Sequence, residues 1–151
     1  MSIEMRDATT FDIPSLLSIE NALFQDEAWS REVFESEFAL LGSTRTYRVV
    51  EENNEIVAYF GLAIVDDTAD ITTIAVRADF QGRGIGRKLM QEILNIAAAR
   101  NLRKIMLEVK PENLAAISLY QKCDFEVIGL RRNYYGPSKD ALTMQKLVNS
   151  D

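Results

Sequence analysis

The stretch Gln81-Gly82-Arg83-Gly84-Ile85-Gly86-Arg87 limits what this chain can fold into more than any other segment. It follows the β-branched run Ile71-Thr72-Thr73-Ile74-Ala75-Val76 and opens a run from Ile85 to Arg100 with helical apolar spacing. A strand, a glycine turn carrying arginines and then a helix make a natural anion cradle. The first backbone N–H groups of a helix lack partners inside it, and the helix dipole favours negative charge there. Glycine lets the backbone come close to phosphate oxygens. The segment is therefore expected to hold the pyrophosphate of a nucleotide-bearing cofactor, and the bland alternative is a glycine-rich turn with solvated arginines.

The spacing narrows the choice. Gly82, Gly84 and Gly86 stand as G-x-G-x-G, which does not match the dinucleotide fingerprint G-x-G-x-x-G, and no G-K-[ST] follows as a P-loop requires. Composition removes further classes. The chain has no histidine, so Ser-His-Asp and Cys-His nucleophile systems are excluded, and a metal site leaning on imidazole is not expected. Acid–base chemistry must come from carboxylates, tyrosines, lysines or the substrate. One cysteine, Cys123, rules out an internal disulfide, fits a reducing compartment and is expected to be a buried free thiol. A net charge of −6 argues against non-specific nucleic-acid binding. Met1 to Pro14 has no apolar core of a signal peptide, and no run approaches membrane-spanning length, so a cytoplasmic protein without membrane partner is expected. At 151 residues, a single domain over 1–151 is expected.

Along the chain, Ile3 to Asp7 reads as a strand. Phe11, Leu16, Leu17, Ile19 and Leu23 mark a helix near Phe11 to Asn21, with Thr10 or Asp12 as cap and Pro14 in its first turn. Ser30 caps a second helix with Val33, Phe34, Phe38 and Leu41 on its apolar face, ended by Gly42. Thr46 to Glu51, Ile56 to Val65 and Ala69 to Arg77 read as strands, with turns at Asn53-Asn54 and Asp66-Asp67. Ile85, Leu89, Met90, Ile93, Ile96 and Ala97 form one apolar stripe of the next helix, and Asn101 suits its left-handed end. Lys104 to Val109 is a strand, Asn113 to Lys122 a helix, and Phe125 to Leu130 and Ala141 to Lys146 are the last strands, joined by a loop around Asn133 to Pro137. The expected order is βααβββαβαββ: an α+β fold with a mainly antiparallel, mixed sheet flanked by helices, and one parallel crossover through the long helix.

Gln81 to Gly86 also matches [QR]-x-x-G-x-[GA], and in this context the chain resembles the GNAT N-acetyltransferases. Downstream, Leu107-Glu108-Val109, Asn113, Ala115 to Tyr120, Phe125 and Arg131-Arg132-Asn133-Tyr134-Tyr135, with Trp29-Ser30 upstream, resemble one branch of that family, the RimI-type ribosomal-protein-alanine N-acetyltransferases. The resemblance implies a GNAT fold, acetyl-CoA as acyl donor, no metal, and direct transfer to an amine. It implies an acceptor that is the N-terminal peptide of a ribosomal protein, and the chain is expected to be a monomer or weak homodimer. Other protein N-termini, a small amine, or a non-catalytic acyl-CoA sensor are the alternatives.

Roles follow from the same resemblance. The backbone of Ile74, Ala75 and Val76 would pair with pantetheine like an added strand. The amides of Gly82, Arg83, Gly84, Ile85, Gly86 and Arg87 would cradle the pyrophosphate, with the Arg83 and Arg87 side chains adding charge. Asn113 matches a cofactor contact, although a helix N-cap explains it equally well. Glu108 matches the proton acceptor. From pattern alone, Met106, Glu108 and Lys110 share a strand face opposite Ile105, Leu107 and Val109, which also suits a solvent-facing Glu paired with a Lys. Tyr120 matches the proton donor to the leaving thiolate, and its plain alternative is a core tyrosine. Trp29, Tyr134 and Tyr135 would line the acceptor site, with Asp26 and Glu27 making an acidic mouth suited to a basic peptide. Asp124 stands where the family more often has Gly, so a changed turn is expected there. Ala28 stands where a Pro often precedes the Trp-Ser pair.

Overall fold

The computed structural model describes residues 3–149. Its strands and α-helices run β1 (Ile3–Asp7), α1 (Ile13–Phe24), α2 (Arg31–Phe38), β2 (Arg45–Glu52), β3 (Glu55–Val65), β4 (Thr68–Val76), α3 (Ile85–Ala99), β5 (Lys104–Val109), α4 (Leu114–Lys122), β6 (Glu126–Gly136) and β7 (Lys139–Leu147). This is the expected order, with short 3-10 turns added before α1, α2 and α3. The strands form one mixed sheet in the order β1-β2-β3-β4-β5-β7-β6. The parallel crossover is where the sequence puts it: β4 pairs with β5 from Thr68↔Lys104 to Ile71↔Leu107. Among the described residues no helix is long and apolar enough to cross a membrane.

The chain divides into two compact units, with boundaries inside β4 and α3: residues 3–64 with 72–89, and residues 65–71 with 90–149. In the first unit α1 lays Ile13, Leu16 and Ile19 against Phe34 and Phe38 of α2 and against Tyr47, Val49 and Tyr59 of the sheet. Each such side chain contributes about 1.5–3 kcal/mol of burial. Phe11 is not part of this face. It lies on the 3-10 turn before α1 and is 91% exposed. Gly61 is obligatory here, because a Cβ would run into the Tyr47 ring and lie 2.8 Å from Thr72 Oγ1. The β2–β3 turn is the expected Asn53-Asn54 pair, both at positive φ, as a twisted hairpin requires.

Asp12 locks β1 to the start of α1. Its carboxylate accepts two bonds from the Arg6 guanidinium at 2.8 Å each and one from Thr9 N–H at 2.8 Å, and Arg6 Nε also donates to Glu51. The Arg6 guanidinium is the main reason the Asp12 carboxyl is held below its ordinary range. A depressed carboxyl contributes stability above its unfolded value, near 3.9, and loses it as pH falls through the folded value. Asp12→Asn is therefore expected to cost about 1 kcal/mol near neutral pH, since Arg6 remains partly solvated. Thermal melts should show the gap to wild type closing below about pH 4, and a gap that stays constant with pH would contradict the assignment.

In the second unit Met90, Ile93, Ile96, Leu102, Ile105, Leu107, Val109, Phe125 and Met144 are buried. Two expectations change here. The segment Asn133 to Gly136, read from its Asn, Gly and Pro as loop, belongs to strand β6, and only Pro137-Ser138 turns the chain. The tyrosines favour the pleated conformation, and the turn signals are absorbed by a register shift between Arg131 and Gly136 and by positive φ at Asn133 and Ser138. Asp124 does not change the turn after α4. It adopts φ +68, with Phe125 N–H bonded to the Tyr120 carbonyl at 3.0 Å and Asp124 N–H to that of Gln121 at 2.9 Å. This is a Schellman closure with Asp doing what Gly does more cheaply. Cys123, at its centre, is half-buried rather than buried.

Candidate active site

The residues singled out from the sequence divide between the two units. In the first lie Ile74, Ala75 and Val76, the Gln81–Arg87 turn and Trp29. The register of β4 with β5 runs to Ile71, and Ile74 to Val76 lie beyond it, with Ala75 buried and its two neighbours half-buried. Gln81 Nε2 donates to the Val76 carbonyl at 3.0 Å and ties the turn to the strand end. Gly82 and Gly84 sit at φ +78 and +81, and a Cβ on either would meet open space. Lys88 N–H donates to the Gly84 carbonyl at 3.2 Å, so the helix begins there and the amides of Ile85, Gly86 and Arg87 are its first-turn donors. Arg77 and Arg83 each place a guanidinium over the Phe80 ring, at 4.8 and 4.6 Å from its centroid. Left-handed glycines, outward amides, open space and cations suit a pyrophosphate.

Gly84→Ala is expected to leave the fold standing, because nothing in the protein crowds that Cβ. A left-handed Ala still costs roughly 1–2 kcal/mol and puts a methyl where phosphate oxygens must approach. The Kd for CoA should rise about tenfold. Calorimetric titration with CoA checks this, and an unchanged Kd would remove the turn from the donor site.

Trp29 is half-buried just before Ser30, whose side chain caps α2 by accepting from Val33 N–H at 3.3 Å. The indole packs edge-on against Phe34 at 5.3 Å, and the Trp29 N–H donates to Glu20 at 3.3 Å. The sequence reading missed Glu20. The signal was present: with Leu16, Ile19 and Leu23 it falls on one face of α1, so a carboxylate belongs to a buried stripe. Glu20 is 2% exposed.

In the second unit Glu108, Tyr120, Tyr134 and Tyr135 are brought into one neighbourhood. Strand β5 alternates as expected, with Ile105, Leu107 and Val109 buried and Met106, Glu108 and Lys110 half-buried. Glu108 stands opposite Thr143 on β7, which stands opposite Gly129 on β6. The glycine leaves that face of the sheet low, and Arg131, one pleat further on, reaches Glu108 at 3.7 Å. An arginine is thus a partner of Glu108, which the strand pattern alone does not reveal. The Arg131 guanidinium lies 5.7 Å from the Tyr134 ring centroid, Tyr134 and Tyr135 meet edge to face at 4.9 Å, and Lys110 sits 5.7 Å from the Tyr135 ring centroid. Burial, and after it the nearby Glu108 carboxylate, pushes the Tyr134 phenol above its ordinary value.

Tyr120 is 6% exposed, and its ring packs against Phe125 at 6.1 Å. That contact is the apolar half of the Schellman closure, so the end of α4 fixes where this phenol points. Burial drives its pKa well up, with Tyr135 adding a smaller push, and the hydroxyl keeps its proton at neutral pH. Asn113 caps α4, its Oδ1 accepting from Ala116 N–H at 3.2 Å. The cap reading is realised, and the side-chain amide N–H groups lie on an exposed residue.

The comparisons agree with this geometry. The acetyltransferase (GNAT) family profile matches residues 13–125. The N-alpha-acetyltransferase RimI of Mycobacterium tuberculosis is 34% identical over 144 residues, covering 91% of this chain and 88% of that protein. The [ribosomal protein bS18]-alanine N-acetyltransferase of Escherichia coli K12 is 32% identical over 131 residues, covering 87% and 85%. The crystal structure of the ribosomal-protein-S18-alanine N-acetyltransferase from Escherichia coli superposes with a TM-score of 0.89 at 28% identity, over 99% of this chain and 96% of that one. A glycine turn at the start of α3, a matching α+β sheet and a family profile across three quarters of the chain converge: this protein belongs to the GNAT acetyltransferase family.

Proposed function

We propose that this protein transfers the acetyl group of acetyl-CoA to the α-amino group of a protein N-terminus, with the N-terminal alanine of ribosomal protein bS18 as its acceptor. The observation that carries the reading is the half-buried Glu108 beside a wall of Arg131, Tyr134 and Tyr135. A pure acyl-CoA binder needs no such carboxylate, and a small amine needs no aromatic wall. The N-alpha-acetyltransferase of Mycobacterium tuberculosis supports an α-amino acceptor, and the Escherichia coli relative supports the alanine of bS18.

When bound, acetyl-CoA supplies a thioester carbonyl open to attack by an amine. An α-amino group has a pKa of about 7.7–8.0 and arrives largely as ammonium. The ammonium first gives one proton to water, which frees its lone pair, and Glu108 takes the second proton, released as the nitrogen bonds to the carbonyl carbon. As the carbon–sulfur bond breaks, Tyr120 gives its proton to the departing sulfur and regains one from solvent. The products are an acetylated amine and free CoA, and no acyl-enzyme forms, in keeping with a chain that lacks histidine. The amides of the Gly82–Arg87 turn hold the pyrophosphate, Ile74 to Val76 hold the pantetheine, and Asn113 offers a further polar contact. Trp29, Tyr134 and Tyr135 hold the acceptor.

The test is acetylation of synthetic peptides, read by mass. Peptides with the bS18 N-terminal sequence starting at Ala, the same peptide with its α-amine blocked but a lysine present, and a small polyamine are each offered with acetyl-CoA. Modification of the free Ala peptide alone is expected. Modification of the blocked peptide or of the polyamine, with the Ala peptide left untouched, would sink the reading.

A further inference from the structure

One buried carboxyl in the first unit gathers three donors from three separate segments. Trp29 N–H reaches Glu20 Oε1 at 3.3 Å. Tyr59 Oη on β3 donates to Oε2, and Thr73 Oγ1 on β4 reaches the same oxygen at 3.4 Å. The contacts close a ring, since Trp29 packs on Phe34 and Phe34 packs on Tyr59, with centroids 6.2 Å apart. Burial raises the Glu20 carboxyl above its ordinary value, and the three donors pull it back. An apolar residue on this helix face would avoid that desolvation. The carboxyl therefore has to be explained by what it holds.

What it holds is a strained turn. Gln25, which ends α1, sits at φ 48 and ψ −111, a conformation that L-residues rarely adopt. Such backbone persists only where its surroundings over-determine it. The turn from Gln25 to Ala28 closes with an Ala28 N–H to Gln25 carbonyl bond at 3.0 Å, and the next amide, of Trp29, is the one Glu20 takes. Thr73 is the neighbour of Ile74, so the same carboxyl ties the Trp29 turn to the strand assigned to the acyl donor.

We propose that Glu20 is a positioning residue for acceptor binding: its buried carboxyl fixes the Gln25–Trp29 turn, and with it the indole, against Tyr59 and Thr73. The proposal rests on Trp29 lining the acceptor site. Trp29 is the only tryptophan of the chain, so its fluorescence reports the turn independently of activity. Glu20→Met keeps the side-chain size and removes both acceptors. Glu20→Gln keeps an oxygen for Trp29 N–H and offers an amide that Tyr59 Oη can accept from.

In Glu20→Met the Trp29 emission is expected to shift red and acrylamide quenching to rise about twofold, the mark of a released, solvated indole. The KM for the Ala peptide should rise about tenfold or more, while the KM for acetyl-CoA stays within about twofold. Glu20→Gln should restore both readouts most of the way. If Glu20→Met does not fold, the double variant Tyr59→Phe with Thr73→Val, which leaves the carboxyl but removes two of its donors, should move the same readouts in the same direction. A folded variant with unchanged quenching would overturn the proposal, and so would a released indole with unchanged peptide KM. If the wild type acetylates no peptide, the acceptor reading fails by itself, while the quenching series still decides whether Glu20 holds the turn.

Discussion

Glu108→Gln is expected to lower kcat/KM for the Ala peptide by about 10²–10⁴-fold, the usual contribution of a positioned general base. The amide fills the same space but cannot carry the proton away from the attacking nitrogen. Its neighbours should stay in place, because Ile105, Leu107 and Val109 anchor β5 from the opposite face. The Kd for acetyl-CoA should stay within about twofold, since the donor turn lies on another part of the chain. Stopped-flow or coupled assays of thiol release with saturating acetyl-CoA read the effect directly. A loss below about threefold would reduce Glu108 to the solvent-facing, ion-paired residue of the plain alternative.

The second large effect is at Tyr120. Tyr120→Phe is expected to cut kcat by about 10²-fold and leave both KM values nearly unchanged, because the proton is needed only as the sulfur departs. A buried phenol that holds its proton strongly looks like a poor acid. The low-dielectric surroundings that penalise a phenolate penalise a thiolate alongside it as well, so the two are raised together and the transfer stays feasible. Removing one hydroxyl should cost the fold little, as the ring keeps its packing on Phe125. Steady-state kinetics with a thermal melt as control separates the cases. A variant that melts several degrees lower with unchanged kcat would make Tyr120 a structural tyrosine.

Much of this site could be read from the chain because each part has a short-range cause. The Gln81–Arg87 turn is legible since only glycine takes left-handed φ beside a helix start without strain, and the structure uses Gly82 and Gly84 that way. The alternation of Ile105, Leu107 and Val109 exposes Glu108 by simple period-two counting. The parts that escaped reading depend on distant partners. Tyr134 and Tyr135 lie on a strand because β7 is there to pair with β6, which local Asn, Gly and Pro signals do not reveal. Arg131 reaches Glu108 across β7, a strand order that no local signal in the sequence reveals. The role of Glu20 escapes a local reading, since it comes from Tyr59 and Thr73, 39 and 53 residues away. Asp124 was expected to break a pattern, yet a helix end already held by the Tyr120–Phe125 contact absorbs one strained residue.

The most direct test of the account is a crystal structure of this protein with a conjugate that joins CoA to the α-nitrogen of an Ala-starting peptide. The account predicts the pyrophosphate on the amides of Gly82 to Arg87, the sulfur beside Tyr120 Oη, the peptide nitrogen facing Glu108 directly or through one water, and the first residues in contact with Trp29, Tyr134 and Tyr135. A peptide nitrogen turned away from Glu108, or a chain that leaves by a path touching neither Trp29 nor the tyrosines, would contradict it.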